Sequence, residues 1–278
     1  MLADTPLTRR AWLAACGALS ALAVASAALA DEKPFITLAT TTSTQDSGLL
    51  DELLPKFSAA TGIAVRVVAV GTGRALEIGR AGDADALLVH DRAAEDAFVA
   101  EGHAEGRRDV MYNDFLVVGP AADPARAKGS DVARAFAAIA DAQAPFVSRG
   151  DDSGTHKAEQ RFWAAAARNP QPESGTWYLE AGSGMASTLA LAGEKGAYTL
   201  TDRATWLALR ETRGLAELVS GDARLRNNYG VLVLSAQRHP GVKSKPAREF
   251  AAWLTGAEGR AAIAAFRVSG RPVFFLPE

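Results

Sequence analysis

Cysteine is almost absent from this sequence. The 278 residues include a single cysteine, Cys16, which cannot form an internal disulfide bond. The histidines stand far apart and none has the spacing of a zinc site: His90, His103, His156 and His239. We therefore expect a fold that depends on its hydrophobic core, with no bound metal cation and no cofactor.

The sequence also lacks a clear excess of either charge. Its 30 Lys and Arg residues nearly balance its 32 Asp and Glu residues, which gives a formal net charge of −2. This balance disfavours nucleic acid or an acidic membrane surface as a partner. There is no internal repeat or low-complexity tract, and a hydrophobic content of 48% is typical of a folded globular chain. The length predicts one or two domains.

The one long apolar stretch lies at the start of the chain. Residues 11–30 follow Arg9 and Arg10, and they end in Ala28-Leu29-Ala30 ahead of charged residues. This pattern predicts a signal peptide, residues 1–30, that is cleaved after Ala30 on export to the periplasm. A membrane anchor is the alternative, because about 20 apolar residues can span a bilayer. The arginine pair is compatible with twin-arginine as well as general secretory export, so the route stays open.

Cys16 suggests a further alternative for this segment. Leu13-Ala14-Ala15-Cys16 resembles a lipoprotein box, which would give a lipid-anchored form. Only five residues separate Arg10 from Cys16, which is a short apolar core for such a signal. Cleavage after Ala30 is therefore the preferred prediction, and it removes the only cysteine.

The most informative stretch lies in the middle of the chain. Residues 148–156 read Ser-Arg-Gly-Asp-Asp-Ser-Gly-Thr-His, between a short apolar run and a helix-like segment. The first turn of a helix has free backbone N–H groups and partial positive charge, so it attracts anions. Arg149 adds a planar fork of donors that suits an oxyanion. This junction therefore predicts an anion site.

Two further junctions have the same design. Residues 40–48, rich in Thr and Ser, follow a predicted strand at residues 35–39 and precede a helix-like run. Gly71-Thr72-Gly73 follows a second predicted strand and opens another helix. The third glycine of a dinucleotide fingerprint is missing, so a bare anion fits this turn better than a nucleotide. Strands alternate with helices along the rest of the chain, which predicts an α/β fold with two mainly parallel sheets flanked by helices.

In combination, these segments resemble the periplasmic tungstate-binding proteins of ABC importers, the TupA type. Similarity to phosphate- and molybdate-binding proteins of the same fold is more distant. The resemblance rests on six segments that span most of the mature chain: residues 40–48, 71–76, 82–92, 108–115, 148–156 and 196–203. One departure from the family is Ser183, in Gly182-Ser183-Gly184-Met185, where a longer polar residue is expected.

The resemblance implies a two-lobed fold of the type II periplasmic-binding-protein superfamily, with the ligand in a cleft between the lobes. Residues 31–118 and 204–278 would form the first lobe, and residues 119–203 the second lobe. The chain would cross between them near residues 118–120 and 200–203.

The resemblance and the three junctions together predict the ligand-binding residues. Arg149 is expected to hold the oxyanion. The first lobe would add Thr41, Thr42, Ser43, Thr72 and Gly73, and the second lobe Ser153, Gly154 and Thr155. Each hydroxyl could instead be a simple helix cap.

Charged residues near the junctions have other expected roles. Arg203 either approaches the ligand or forms a hinge salt bridge, with Asp202 or Asp85 as partner. Asp151 and Asp152 would repel an anion, so we expect them to orient Arg149 or to cap backbone amides. Arg74 and His90 are expected to be structural.

The predicted function is the capture of tungstate and its delivery to an ABC permease, which a cytoplasmic ATPase drives. The protein is expected to be a monomeric binding protein and not an enzyme. A molybdate- or phosphate-binding protein of the same fold is the alternative. A hydrolase that uses Ser153, with His156 nearby, is less favoured, because no separate Ser/His/Asp set stands out in the sequence.

Overall fold

The computed structural model describes residues 33–209 and 213–277. The predicted signal peptide, with Cys16, lies outside these residues. Within them, no helix is both long enough and apolar enough to cross a membrane.

Strands and helices alternate through most of the chain, as the sequence predicts. The strands are β1 Phe35–Thr41, β2 Ala64–Val70, β3 Ala86–Val89, β4 Ala104–Pro120, β5 Phe146–Ser148, β6 Tyr178–Glu180, β7 Thr199–Asp202, β8 Leu215–Val219, β9 Arg226–Leu234, β10 Arg267–Val268 and β11 Arg271–Pro272. The helices are α1 Thr42–Asp46, α2 Leu49–Thr61, α3 Thr72–Ala81, α4 Arg92–Ala100, α5 Val132–Asp141, α6 Gly154–Ala165, α7 Met185–Lys195, α8 Arg203–Ala208, α9 Ser244–Thr255 and α10 Ala257–Ala265.

A seven-stranded sheet in the order β2-β1-β3-β9-β4-β7, with β8 also paired to β4, connects the two lobes. The first part of β4 pairs with β9 up to Asp114, and its last part, from Phe115, pairs with β7 and β8. One continuous strand of 17 residues therefore contributes to both lobes.

Strand pairing differs from the expectation of mainly parallel sheets. Pairs β1–β2, β1–β3 and β5–β6 are parallel, but β3–β9 and every pairing of β4 are antiparallel. The sheets are therefore mixed. The reason is that β4 and β9 run in opposite directions as they pass between the lobes, which no local pattern reveals.

Separate hydrophobic cores define the lobes. In the first lobe, β1 and β3 bury Leu38 and Leu88 against helices such as α9, which contributes Phe250. In the second lobe, Phe136, Phe146 and Trp163 pack in edge-to-face contacts, with ring centroids 4.5 to 5.6 Å apart. Burial of these rings away from water stabilises the second lobe. The boundaries at residues 119 and 203 stay a prediction.

Local details of three elements go beyond the sequence analysis. Helix α2 contains Pro55 and is one segment of 13 residues. Helix α5 is capped by Asp131, whose carboxylate accepts from the Arg134 N–H. Strand β8 has a short, weakly alternating sequence and was not predicted.

Candidate functional site

The three predicted junctions come together in the structure, because each lies where a strand leads into a helix. Thr41 ends β1 and caps α1, Gly71 follows β2 and caps α3, and Ser153 caps α6 shortly after β5. The amino ends of α3 and α6 face each other across the cleft. Their partial positive charges and free N–H groups make this an environment for an anion.

Glycine permits this close approach between the lobes. A Cβ atom on Gly154 would lie 2.5 Å from Cε1 of His90 and 3.0 Å from the Thr72 hydroxyl. A Cβ on Gly71 would lie 3.4 Å from the Asp151 carbonyl oxygen, and one on Gly73 would overlap the Asp152 carboxylate. The lobes are therefore closed on each other at this point, and the glycines leave room for it.

Arg149 lies at the centre of the site and is only 2% exposed. Its Nη2 donates to Asp151 at 2.5 Å, and the other oxygen of Asp151 accepts from the Ser153 N–H at 3.2 Å. Asp151 thereby fixes the direction of the guanidinium. The Nε and Nη1 atoms of Arg149 are buried and have no partner. Buried donors are normally paired, so these two point to a missing acceptor.

Two hydroxyls share this property. The Oγ1 atoms of Thr72 and Thr155 are buried and have no hydrogen-bond partner. Thr72 begins α3 in the first lobe, and Thr155 lies in the first turn of α6 in the second lobe. Together with Arg149, they present unpaired donors from both sides of the cleft, which suits a ligand that only accepts hydrogen bonds.

The remaining predicted hydroxyls act mainly within the protein. Thr41 Oγ1 accepts from the Thr44 N–H at 3.2 Å, and Ser153 Oγ accepts from the His156 N–H at 3.2 Å. Both are therefore helix caps. Ser43 Oγ lies 3.1 Å from Thr41 Oγ1, and Thr42 is only partly buried. These residues can still offer backbone N–H groups to a ligand.

Arg203 forms a salt bridge, which is one of the two roles that the sequence left open. Its Nε is 2.9 Å from both oxygens of Asp114 on β4, and its Nη1 is 3.3 Å from Glu217. The expected partners were wrong, because Asp202 caps α8 and Asp85 receives Lys243. Arg203 thus ties β4 to β8 with its donors engaged.

Two other charged residues lie at the edge of the site. The Asp152 carboxylate is 3.5 Å from the Lys157 ammonium, and its side chain is 70% exposed. Asp152 adopts a left-handed conformation with φ of 56°, and its carboxylate lies beside Gly73. Arg74 is exposed and pairs with Glu77 at 2.8 Å. Neither contributes to the buried donor set.

His90, which the sequence analysis expects to be structural, lies beside the three junctions. It follows the buried strand β3, is 4% exposed, and its Nε2 lies 3.4 Å from Ser43 Oγ. Its Nδ1 lies 3.1 Å from Asn227 Oδ1, and its ring stacks near Tyr229 with centroids 4.8 Å apart. The available signal was its place at the end of a buried strand next to β1, the same edge that carries Thr41.

Burial dominates the electrostatics around the site. Burial, aided by the charge of Arg149, lowers the pKa of His90 to about 4, while Asn227 and Asp91 act in the opposite direction. Burial raises the pKa of Asp46, against the attraction of Arg149. No group of three or more His, Cys, Asp or Glu in the described residues is placed to hold a metal ion.

The arrangement does not support a serine nucleophile. The only hydrogen bond between Ser153 and His156 runs from the His156 backbone N–H, and the two ring nitrogens face the Asp152 N–H and Gln160. No base therefore faces the Ser153 hydroxyl, and an unactivated serine is a poor nucleophile.

Comparison with known proteins agrees with this geometry. A family model described as a PBP superfamily domain matches residues 23–258. The tungstate-binding protein TupA of Peptoclostridium acidaminophilum is 44% identical over 247 residues, which cover 87% of this chain and 85% of that protein. This chain belongs to the TupA family. Its members in these comparisons are transport binding proteins and not enzymes, as predicted.

Further proteins are similar to this chain in sequence, and two of them also in solved structure. A putative ABC transporter anion-binding protein of Haloferax volcanii is 48% identical over 246 residues, 86% of this chain and 71% of that protein. The solved TupA structure from Desulfovibrio alaskensis has a TM-score of 0.76 and 44% identity, and covers 88% of this chain and 99% of its own. The tungstate ABC transporter structure from Geobacter sulfurreducens has a TM-score of 0.75 and 45% identity, and the match covers 84% of this chain and 98% of that chain. The two-lobed α/β fold is confirmed.

The unpaired hydroxyl of Thr72 leads to a first testable prediction. Thr72→Val keeps the shape of the side chain but removes a buried hydroxyl without a partner, so the empty protein should gain about 1 kcal/mol of stability. The same change should weaken tungstate binding roughly fivefold. Urea unfolding and calorimetry measure the two effects.

Thr199→Val is the matched control. Its hydroxyl is also buried but donates to the Val147 carbonyl at 2.6 Å. That variant should lose stability and keep its tungstate affinity. If Thr72→Val behaves in the same way as Thr199→Val, Thr72 does not face a ligand.

A second prediction concerns Glu159, which supports the segment that carries Arg149. Glu159 is 1% exposed and accepts from Trp163 and Tyr178. Burial raises its pKa to about 7. Because the folded pKa lies above the unfolded value, the contribution to stability is complete at acidic pH and is lost as pH rises through 7.

The unfolding free energy of the parent should fall as the pH rises from 4.5 to 8. We expect this fall to be smaller by about 3 kcal/mol in Glu159→Gln. Glu95, whose pKa burial also raises to about 7, should supply part of the slope that remains. Urea unfolding across this range provides the measurement. An unchanged pH slope in Glu159→Gln would show that Glu159 is already ionised in the native state at neutral pH.

Proposed function

We propose that this protein captures tungstate outside the cytoplasm and delivers it to an ABC importer. The observation that carries the proposal is the set of buried donors without partners on Arg149, Thr72 and Thr155. The names of the TupA relatives support tungstate as the ligand.

The chemistry of the ion matches these donors. Tungstate is fully ionised at neutral pH, so each oxygen accepts hydrogen bonds and none donates. Phosphate keeps a proton and would gain from a carboxylate acceptor. Both oxygens of Asp151 are already engaged by Arg149 and Ser153, and the Asp152 carboxylate, which lies beside Gly73, pairs with Lys157 at 3.5 Å. The site therefore favours a fully deprotonated oxyanion.

We infer that the ion lies between the amino ends of α3 and α6. Arg149, Thr72 and Thr155 would give side-chain donors, and backbone N–H groups would come from the helix starts. The full proposed set is Thr41, Thr42, Ser43, Thr72, Gly73, Arg149, Ser153, Gly154 and Thr155. Asp151 would orient Arg149. Arg203, engaged by Asp114, would act at the hinge instead of on the ion.

Donors on both lobes give a reason for closure. A ligand that contacts both lobes at once stabilises the closed state, because only that state offers all the donors. The proposal includes the lobe boundaries at residues 119 and 203 and a monomeric protein. It also includes a signal peptide cleaved after Ala30 and a permease with its ATPase as partners.

Titration with tungstate, molybdate, sulfate and phosphate tests the proposal. Calorimetry should show tight one-to-one binding of tungstate and much weaker binding of phosphate. Tungstate at 100 times its dissociation constant should add about 2.7 kcal/mol to the unfolding free energy. Phosphate binding as tight as tungstate binding would overturn the proposal, and tighter molybdate binding would assign the protein to molybdate.

A further inference from the structure

The proposed tungstate site has too little positive charge for its ligand. Arg149 already pairs with Asp151 at 2.5 Å, so the two groups together carry no net charge. Other cations near the junctions are engaged elsewhere: Arg203 with Asp114, Arg74 with Glu77 and Lys157 with Asp152. A dianion would add two negative charges to a buried site, and an unpaired buried charge is costly.

His90 borders this site from the first lobe. Its ring lies between Ser43 of α1, Asn227 of β9 and Gly154 of α6. The position of a Cβ on Gly154 is 2.6 Å from His90 Nδ1 and 3.0 Å from the unpaired Thr72 hydroxyl. The imidazole is therefore within a few ångströms of a donor that we assign to the ion.

The hydrogen bonds of His90 fix its tautomer. The Asn227 amide donates through Nδ2 to Asn113 Oδ1 at 2.7 Å, so its Oδ1 is the atom that faces His90. Oδ1 can only accept, which places a hydrogen on Nδ1 and leaves a lone pair on Nε2. A proton added at Nε2 breaks no bond to Asn227.

The charges that face His90 come from several elements. Asp91 is its neighbour and pairs with Arg161 of α6 at 3.6 Å. Arg149 opposes a charge on the ring and Asp91 favours one, while burial keeps the pKa of Tyr229 far above its usual range. Asp46 of α1 and Asp202 of β7 also feel the charge of Arg149, which lowers the pKa of each carboxyl against the larger, raising effect of burial. Burial holds the His90 ring neutral.

We propose that His90 takes up one proton at Nε2 when a tetrahedral dianion enters the site, and that this proton makes the site prefer dianions to monoanions. The inference rests on the proposed function. The proton comes from solvent, and the new Nε2–H donates to Ser43 Oγ. Ser43 then turns its own O–H toward the oxyanion, because its oxygen now accepts from the ring. A nearby anion favours the charged imidazole.

Perrhenate offers a matched probe, because it is a tetrahedral oxyanion of similar size with one negative charge. Calorimetry at pH 7 in two buffers of different ionisation enthalpy counts the protons exchanged. We expect uptake of close to one proton per tungstate and close to none per perrhenate. The tungstate affinity should also rise as the pH is lowered from 8 to 6.

His90→Gln should abolish the proton uptake. It should weaken tungstate binding by about tenfold to a hundredfold, the usual effect of losing a hydrogen bond from a charged group. Its affinity for perrhenate should change by less than about threefold on the same reasoning. His103→Gln is the control, since His103 lies away from the site and contacts His239 at 3.0 Å; it should change neither value.

Nitrogen NMR of the His90 ring in the unmodified protein provides a readout that needs no variant. A shift of Nε2 to the protonated value on addition of tungstate, but not perrhenate, is the expected result. Tungstate binding without proton uptake and without this shift overturns the role of His90 and leaves the proposed function intact. Absence of tungstate binding overturns the proposed function itself.

Discussion

Arg149→Ala should weaken tungstate binding by about two to four orders of magnitude. Loss of one partner from a buried, charge-assisted hydrogen-bonded pair costs roughly 3–5 kcal/mol. The Nε and Nη1 atoms of Arg149 are buried and have no partner among the described residues, so their hydrogen bonds are available to a ligand. Calorimetric titration of the variant with tungstate measures the change.

Further variants separate charge, geometry and folding. Arg149→Lys should recover only part of the affinity, because an ammonium lacks the planar fork of a guanidinium. Arg168→Ala is the control, since Arg168 is a surface residue paired with Asp141 at 2.6 Å. We expect the melting temperature of empty Arg149→Ala to stay close to that of the parent, because two unpaired buried donors leave with the side chain. If Arg149→Ala binds tungstate with an affinity within a few-fold of the parent, Arg149 does not belong to the binding site.

Gly154→Ala should produce the second large loss, through closure. Its methyl group would lie 2.5 Å from Cε1 and 2.6 Å from Nδ1 of His90, inside van der Waals contact. Overpacking of this kind costs about 1–3 kcal/mol, so tungstate affinity should fall roughly 5- to 150-fold. Alanine is a better helix former than glycine, so helix α6 should remain intact. Calorimetry and small-angle scattering with saturating tungstate should show weaker binding and reduced compaction.

Gly241→Ala is the matched control for that variant. A Cβ on Gly241 meets no atom within 4 Å, so the same substitution should leave affinity and compaction unchanged. If Gly154→Ala binds tungstate as tightly as Gly241→Ala, the lobes do not need to meet at Gly154 for binding.

Local sequence patterns determined the three junctions of the site. Thr41, Gly71 and Ser153 each lie where a strand gives way to a helix, and capping chemistry and glycine are local signals that the sequence displays directly. A glycine also marks the division of the last helical region, where Gly256 separates α9 from α10. The anion preference of these junctions follows from backbone groups that any helix start exposes.

Pairing between distant residues was decided only by the tertiary structure. Arg203 meets Asp114, 89 positions away, and His90 meets Asn227, 137 positions away, and neither partner is marked in the sequence. The direction of β4 relative to β9 likewise depends on how the chain crosses between lobes. The sequence specifies which groups can donate at each helix start. Burial and long-range packing decide which of these groups are left unpaired where the lobes meet, namely Arg149, Thr72 and Thr155. The sequence does not show this, because burial and packing depend on parts of the chain that are far apart in sequence.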